Sequence, residues 1–152
     1  GEFNTVRPYS YASDTITTVY AHDNQPLAHP IGANFKEVIG VADYSYKRWW
    51  LRAEAFITHY GADSSANVDY GRDIFKPLYL HSKETDIKTD QGLNTQIYYA
   101  DFRVAYILNK KNNLRVEAGA VYRSESNKLY DYKDFYGYIG VRFSFRKLIY
   151  DF

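Results

Sequence analysis

LNTQIYYADFRVAYIL at residues 93–108 and LRVEAGAVYRSE at residues 114–125, joined by NKKNN, decide how this chain folds. In the first segment Tyr98, Ala100, Phe102, Val104, Tyr106 and Leu108 form an apolar row, while Thr95, Tyr99, Asp101 and Arg103 occupy the intervening positions. In the second, Leu114, Val116, Ala118, Ala120 and Tyr122 alternate with Arg115, Glu117, Gly119, Val121 and Arg123. A period of two is the repeat of a β-strand, so the pair reads as a hairpin with one greasy and one charged face. A soluble sheet turns its charge to water and its grease to a core. The same alternation also fits lipid outside and a wet, ion-paired lumen inside.

Working outward, the alternation recurs. Residues 34–46 place Val38, Gly40, Ala42, Tyr44 and Tyr46 opposite Glu37, Ile39, Val41, Asp43 and Ser45. Residues 49–60 set Trp49, Leu51, Ala53, Ala55 and Ile57 against Arg52, Glu54, Phe56 and Thr58, with Lys47 and Arg48 as a tight connection. Residues 134–146 alternate Phe135, Gly137, Ile139, Val141, Phe143 and Phe145 with Tyr136, Tyr138, Arg142, Ser144 and Arg146. A first strand is expected over 2–9, closed by Pro8, which cannot donate to a ladder. Long loops over 10–33 and 61–92 and a medium one over 126–133 complete the reading.

Composition narrows the class. The 152 residues suit one domain, and 45% hydrophobic content would support a core. Seventeen Tyr, nine Phe and two Trp make the chain 18% aromatic, yet mean hydropathy is only −0.52. No apolar run approaches the ~20 residues of a membrane helix. A net charge of +1, with bases interleaved among acids, gives no reason to expect nucleic acid as a partner. Absence of cysteine removes disulfides, thiolate metal sites and thiol nucleophiles without fixing the compartment. No charged, apolar and then small-residue leader is visible, so an exported protein would be represented here by mature or trimmed sequence.

Connections that alternate long and short are the pattern of a transmembrane β-barrel with tight periplasmic turns and long extracellular loops. Tyr44, Tyr46, Trp49, Tyr106 and Phe143 fall beside the short turns, where an aromatic girdle belongs. Cost sets the register: an arginine at positions 52, 103, 115 or 142 would cost about 2 to 4 kcal/mol in lipid near the midplane. Arg52 with Glu54, Asp101 with Arg103, and Arg115 with Glu117, joined by Arg142, are therefore expected in the lumen as a cross-strand ion-pair ladder serving folding. The expectation is an all-β, antiparallel, up-and-down set of six transmembrane barrel strands. Bacterial barrels have at least about eight strands, so these six are expected to be the C-terminal part of a larger outer-membrane barrel.

Several motifs carry a resemblance. Val6-Arg7-Pro8-Tyr9-Ser10-Tyr11, then Leu27-Ala28-His29-Pro30-Ile31-Gly32-Ala33-Asn34-Phe35-Lys36-Glu37, Tyr138-Ile139-Gly140-Val141-Arg142 and the terminal Tyr150-Asp151-Phe152 span most of the chain. Together they resemble the C-terminal portion of the Wzi-type capsule assembly proteins and the related barrels of gliding bacteria. The resemblance implies a cell-surface barrel in a Gram-negative outer membrane, concerned with polysaccharide or adhesion. It transfers no sugar-binding residue, and neither the helical periplasmic segment nor the N-terminal barrel half of that family is visible.

Chemistry-bearing residues are sparse. His22 and His29 flank Asp23, but a loop pair without supporting groups is more often solvated than metal-bound. Glu84, Asp86 and Asp90 lack the glycine and spacing of a calcium loop. His59 and His81, with Ser64, Ser65 and Ser82 in reach along the chain, lack a nucleophile motif. Tyr9, Tyr11, Tyr20, Tyr70, Phe75, Tyr79 and Tyr130 lie in loops, and of these Tyr20, Tyr70 and Phe75 are the candidate platform for sugar rings. The expectation is a noncatalytic barrel, without cofactor or metal, whose candidate partners are outer-membrane lipid, surface polysaccharide and other envelope proteins, with no nucleic acid. The alternatives are a soluble lipocalin-like barrel around a small hydrophobic ligand and an accessory barrel of an envelope secretion or transport complex.

Overall fold

A computed structural model describes residues 1–13, 19–23, 25–65, 67–77, 80–81 and 85–143. The strands are β1 (Glu2–Val6), β2 (Ala21–His22), β3 (Gln25–Pro26), β4 (Phe35–Tyr46), β5 (Trp49–Ala62), β6 (Leu93–Asn109), β7 (Leu114–Ser126) and β8 (Asp131–Arg142). Six of them form one antiparallel sheet in the order β1-β4-β5-β6-β7-β8, and β2-β3 is a small hairpin within the first long loop. The chain is all-β, and no described residue lies in an α-helix. The sheet is open: β1 and β8 are its edges, and these strands do not close into a barrel.

Local chemistry explains the turns. Lys47 takes the left-handed conformation (φ 57°) that a two-residue connection needs. In the turn between β6 and β7, Asn109 Oδ1 accepts from the Lys111 amide at 2.9 Å and Asn112 Oδ1 from the Leu114 amide at 3.2 Å. These are side-chain mimics of backbone turns. Asn127 does the same between β7 and β8, its Oδ1 accepting from the Leu129 amide at 2.7 Å and the Tyr130 amide at 3.0 Å. Consequently the connection expected over 126–133 contracts to 127–130, because Asp131 to Lys133 continue the ladder against Ser126 to Ser124. At the start of the chain the strand expected over 2–9 stops at Val6, before Pro8. Phe145, Ser144 and Arg146 of the last expected strand lie outside the described residues, as do Asp14, Asn24, Leu78, Tyr79, Ser82, Glu84 and the terminal Tyr150-Asp151-Phe152.

Register settles which side chains share a face. Tyr44, Leu51, Val104, Ala118 and Ile139 lie side by side across five strands, and the next rank is Ala42, Ala53, Phe102, Ala120 and Gly137. On the opposite face Val41, Glu54, Asp101, Val121 and Tyr136 form one rank, and Asp43, Arg52, Arg103, Gly119 and Tyr138 another. Gly119 leaves room there for the Tyr138 ring, which a Cβ would approach to 2.6 Å and displace.

Burial runs opposite to that of a soluble sheet. Ile139 is 83% exposed and Phe102 50%, whereas Glu37, Asp101 and Glu117 are buried. Among the described residues eight apolar side chains are buried and twenty-five large ones exposed. Such a balance leaves a large apolar area uncovered within the described residues. Most of the apolar core sits at one end, beneath the long loops. Val19, Ala33 and Ile74 form one cluster with Phe75, and Phe35, Tyr60 and Ile97 form another with Ile31 and Phe56.

Candidate functional site

The charged face is lined with ion pairs, among them the expected Arg52 with Glu54, Asp101 with Arg103 and Arg115 with Glu117, each of which runs along a strand and not across strands. Directly across the strands several like charges meet: Arg52 opposes Arg103, Glu54 opposes Asp101, and Arg115 opposes Arg142, whereas Asp43 opposes Arg52 and Asp134 opposes Arg123. Attraction runs instead along each strand, two residues apart. Arg103 Nε lies 3.0 Å from both Asp101 oxygens and its terminal nitrogen also bonds that carboxylate. Arg52 reaches Glu54 at 3.5 Å, Arg115 reaches Glu117 at 3.3 Å, and Arg123 reaches Glu125 at 3.1 Å. Two contacts cross between strands, Arg52 to Asp43 at 3.4 Å and Arg142 to Glu117 at 3.1 Å. Long arginine stems permit this, bending along the strand so that ranks of like charge are neutralised by the ranks above and below. Arg115 additionally lies over the Trp50 ring at 4.8 Å.

Where this face meets the loops it opens into a cavity of about 480 Å³, walled by Ile39, Phe56, Ile97, Tyr60, Glu37 and Arg72 among others. Glu37 is held from three sides: Thr58 Oγ1 donates to it at 2.9 Å, Asn4 Nδ2 at 3.3 Å, and His29 Nε2 lies at 3.1 Å. Glu125 accepts from the Tyr60 hydroxyl at 2.8 Å and the Tyr130 hydroxyl at 2.7 Å. Phe56 stacks on Tyr99 with centroids 4.7 Å apart, and the Arg72 guanidinium lies over the Tyr60 ring at 4.2 Å. The result is a hollow with aromatic walls, fixed acceptors and, in Arg72, a cation that lies on a ring and has no carboxylate partner among the described residues.

Two buried polar residues fasten the loops above it. Asn34 is fully buried with φ 57°, a conformation asparagine tolerates. Its Nδ2 faces the carbonyls of Gly61, Tyr70 and Gln91 at 3.2, 3.1 and 2.9 Å, and its Oδ1 accepts from the Asp90 amide at 2.8 Å. Asp69, also fully buried, accepts from the Gly71 amide at 2.7 Å and has its other oxygen 3.5 Å from His81 Nε2. Burial raises the Asp69 carboxyl above its ordinary value, against the lowering by the Gly71 amide. His81 stacks on Tyr9 at 3.9 Å, and the Tyr9 hydroxyl donates to the Asp69 carbonyl at 3.0 Å.

The three platform aromatics are not brought together by a shared contact. Tyr20 is 55% exposed and lies 5.8 Å from the Tyr11 ring, so that pair is a surface feature. Phe75 packs on the Val19, Ala33 and Ile74 cluster, and the Tyr70 ring covers Gly92 while its carbonyl accepts from Asn34 and Gln91. Phe75 and Tyr70 thus hold the loops. The remaining chemistry-bearing residues are dispersed as well. His22 contacts Asp23 at 3.5 Å in the open, while His29 serves Glu37. His59 pairs with Lys36 on the outward side, away from His81; Asp86 contacts Lys88 at 3.6 Å and Asp90 binds Lys36 at 2.7 Å. Among the described residues no group of three or more His, Asp or Glu is placed to hold a metal.

Sequence reading missed the cavity itself. Its walls come from residues 29–39, 54–60, 72, 97 and 123–125, and only long-range pairing joins them. The signal available was the run Asn34-Phe35-Lys36-Glu37, in which a strand opens on an asparagine and turns a carboxylate inward. Comparison with family models, with curated proteins and with solved structures finds no match to this chain.

Proposed function

We propose that the chain supplies membrane-spanning strands of a noncatalytic outer-membrane β-barrel in a Gram-negative bacterium, and that its loop end binds or organises surface polysaccharide. One observation carries the membrane half: one face of the sheet is an exposed apolar surface from β4 to β8, and on β5 to β7 the charged face is the more covered of the two. β4 to β8 are 12 to 17 residues long, more than the ~9–11 that cross a bilayer, so both strand ends project into the interfaces. In lipid an unpaired strand edge costs several kcal/mol for each amide left bare. The edges β1 and β8 therefore call for further strands, from the same polypeptide or a neighbouring one. A lipocalin-like interior would be apolar, and the ion-paired face speaks against it.

The saccharide half rests on the cavity beneath the loops, with its Phe56 and Tyr60 walls and the Arg72 guanidinium on the Tyr60 ring. Retention of surface polysaccharide by cells carrying Phe56→Ala with Arg72→Gln tests it. Loss of one stacking contact alone is worth roughly three- to tenfold in affinity. Retention falling at constant barrel abundance supports this reading. Unchanged retention would move the function to the remaining reading, an accessory barrel whose free edges β1 and β8 join an envelope complex.

A further inference from the structure

At the end of the sheet away from the long loops, the two turns among the described residues carry charge of one sign. Residues 44–51 contain Lys47 and Arg48, and residues 104–116 contain Lys110, Lys111 and Arg115, with no acid in either segment. The two turns are neighbours in space: the Ile107 amide donates to the Arg48 carbonyl at 2.8 Å, and the Arg48 guanidinium donates to the Leu108 carbonyl at 3.4 Å. Lys47, Arg48, Lys110 and Lys111 are all exposed, and none has a carboxylate partner among the described residues. Beneath them stands an aromatic step. Trp49 and Tyr106 meet edge to face at 5.0 Å on the outward side, Tyr46 lies under the Lys47 ammonium at 5.1 Å, and a hollow of about 410 Å³ lies between these rings and Arg48.

Resting on the membrane reading above, we propose that this rim is a docking surface for anionic glycerophospholipid headgroups. Trp and Tyr rings seek the level of the headgroups, which places the four cations one layer further out, at the phosphates. There each basic group attracts an anionic leaflet by a factor of about five at ordinary ionic strength. The opposite end could not serve, because its loops interleave Asp63, Asp69, Asp73, Asp86 and Asp90 with their bases. The hollow beside Trp49 accepts the glycerol region while Arg48 and Lys47 hold the phosphate. The partner is thus the leaflet of phosphatidylglycerol-type lipid, and the short-turn end is the end that faces it.

Flotation of the full chain with preformed vesicles tests the inference. Neutral phosphatidylcholine is compared with the same lipid containing about 30% phosphatidylglycerol, at low and high salt. The parent should float with both, with partitioning at least about tenfold stronger on the anionic vesicles and the gain reduced by salt. Lys47→Gln, Arg48→Gln, Lys110→Gln and Lys111→Gln together should float as well as the parent on neutral vesicles and lose the gain. The milder pair Lys110→Gln with Lys111→Gln, whose side chains bond to nothing among the described residues, should lose part of it. Lys128→Gln with Lys133→Gln, at the other end, should keep it. Equal partitioning of the parent on both vesicles, a quadruple variant that retains the gain, or a larger gain on lipid A than on phosphatidylglycerol would each overturn the assignment while leaving the membrane reading intact. Failure to float with either vesicle would overturn both.

Discussion

Asp101 and Phe102 are consecutive residues of β6, yet the charged one is 4% exposed and the aromatic one 50%. Across the sheet Glu54 and the buried Val121 flank Asp101, and Ala53 and Ala120 flank Phe102. The enclosed face is stabilised by hydrogen-bonded charge, whereas on the open face, among the described residues, ring contacts such as Trp49 with Tyr106 leave most of the apolar surface uncovered. In water the open face would forgo about 1.5 to 3 kcal/mol for each large apolar side chain left uncovered. On the membrane reading proposed above, the lesson is that the two faces are built for different solvents and that lipid would supply what the chain does not.

Exchanging the two chemistries gives the largest expected effect. Phe102→Arg puts a charge into hydrocarbon and should lower the folded fraction in vesicles by about 2 to 4 kcal/mol, read from urea titration. Arg103→Phe, one position along, should cost clearly less, since position 103 lies on the charged face, where no charge is put into hydrocarbon, and Asp101 keeps the Tyr99 hydroxyl at 3.4 Å. Equal losses would break the contrast.

At the loop end, Asn34→Ala should cost about 2 to 3 kcal/mol, because three carbonyls lose their donor and alanine resists a φ of 57°. Asn34→Gly, which accepts that φ, should recover only the backbone part. Limited proteolysis of residues 63–92 should rise in both variants.

Within the polar class, depth should decide the magnitude. Asp101→Asn leaves Arg103 facing Arg52 without its carboxylate and should cost about 1 to 3 kcal/mol. Asp131→Asn breaks the exposed Lys133 contact at 2.8 Å and should change stability by less than about 1 kcal/mol. Comparable values would mean that the enclosed face is as wet as the rim.

The smallest effect is a pH dependence. Because burial raises the folded-state Asp69 carboxyl, the folded protein holds its proton more tightly than the unfolded chain does. Asp69 therefore weakens the fold as pH rises from its ordinary value near 3.8 through the raised one, and costs nothing below that window. Asp69→Asn, which keeps an acceptor for the Gly71 amide, should be slightly more stable than the parent at neutral pH and should lose that advantage on acidification.

Period-two alternation made five of the sheet's strands legible, because Arg52, Asp101, Arg103, Glu117 and Arg142 all fall on the parity opposite to Leu51, Phe102, Val116 and Val141. Sheet order followed from tight turns at Lys47 and at Asn109 to Asn113. Partnering did not follow. That Arg52 opposes Arg103 depends on the register between β5 and β6, which a loop of some thirty residues does not specify. The loop end was least legible: Tyr70 and Phe75 carry the same composition signal whether they greet a ligand or pack on Gly92 and Ile74. The third connection was misjudged because Asn127 closes it locally, leaving Asp131 and Lys133 free to pair despite their charge.

Spin labels placed singly at Phe102 and at Arg103, in the full chain reconstituted into vesicles, test the central claim most directly. The label at 102 should collide mainly with oxygen dissolved in the bilayer and little with a water-soluble nickel complex, and the label at 103 should show the reverse preference. Nickel accessibility that is high and equal at both positions would contradict a lipid-facing sheet.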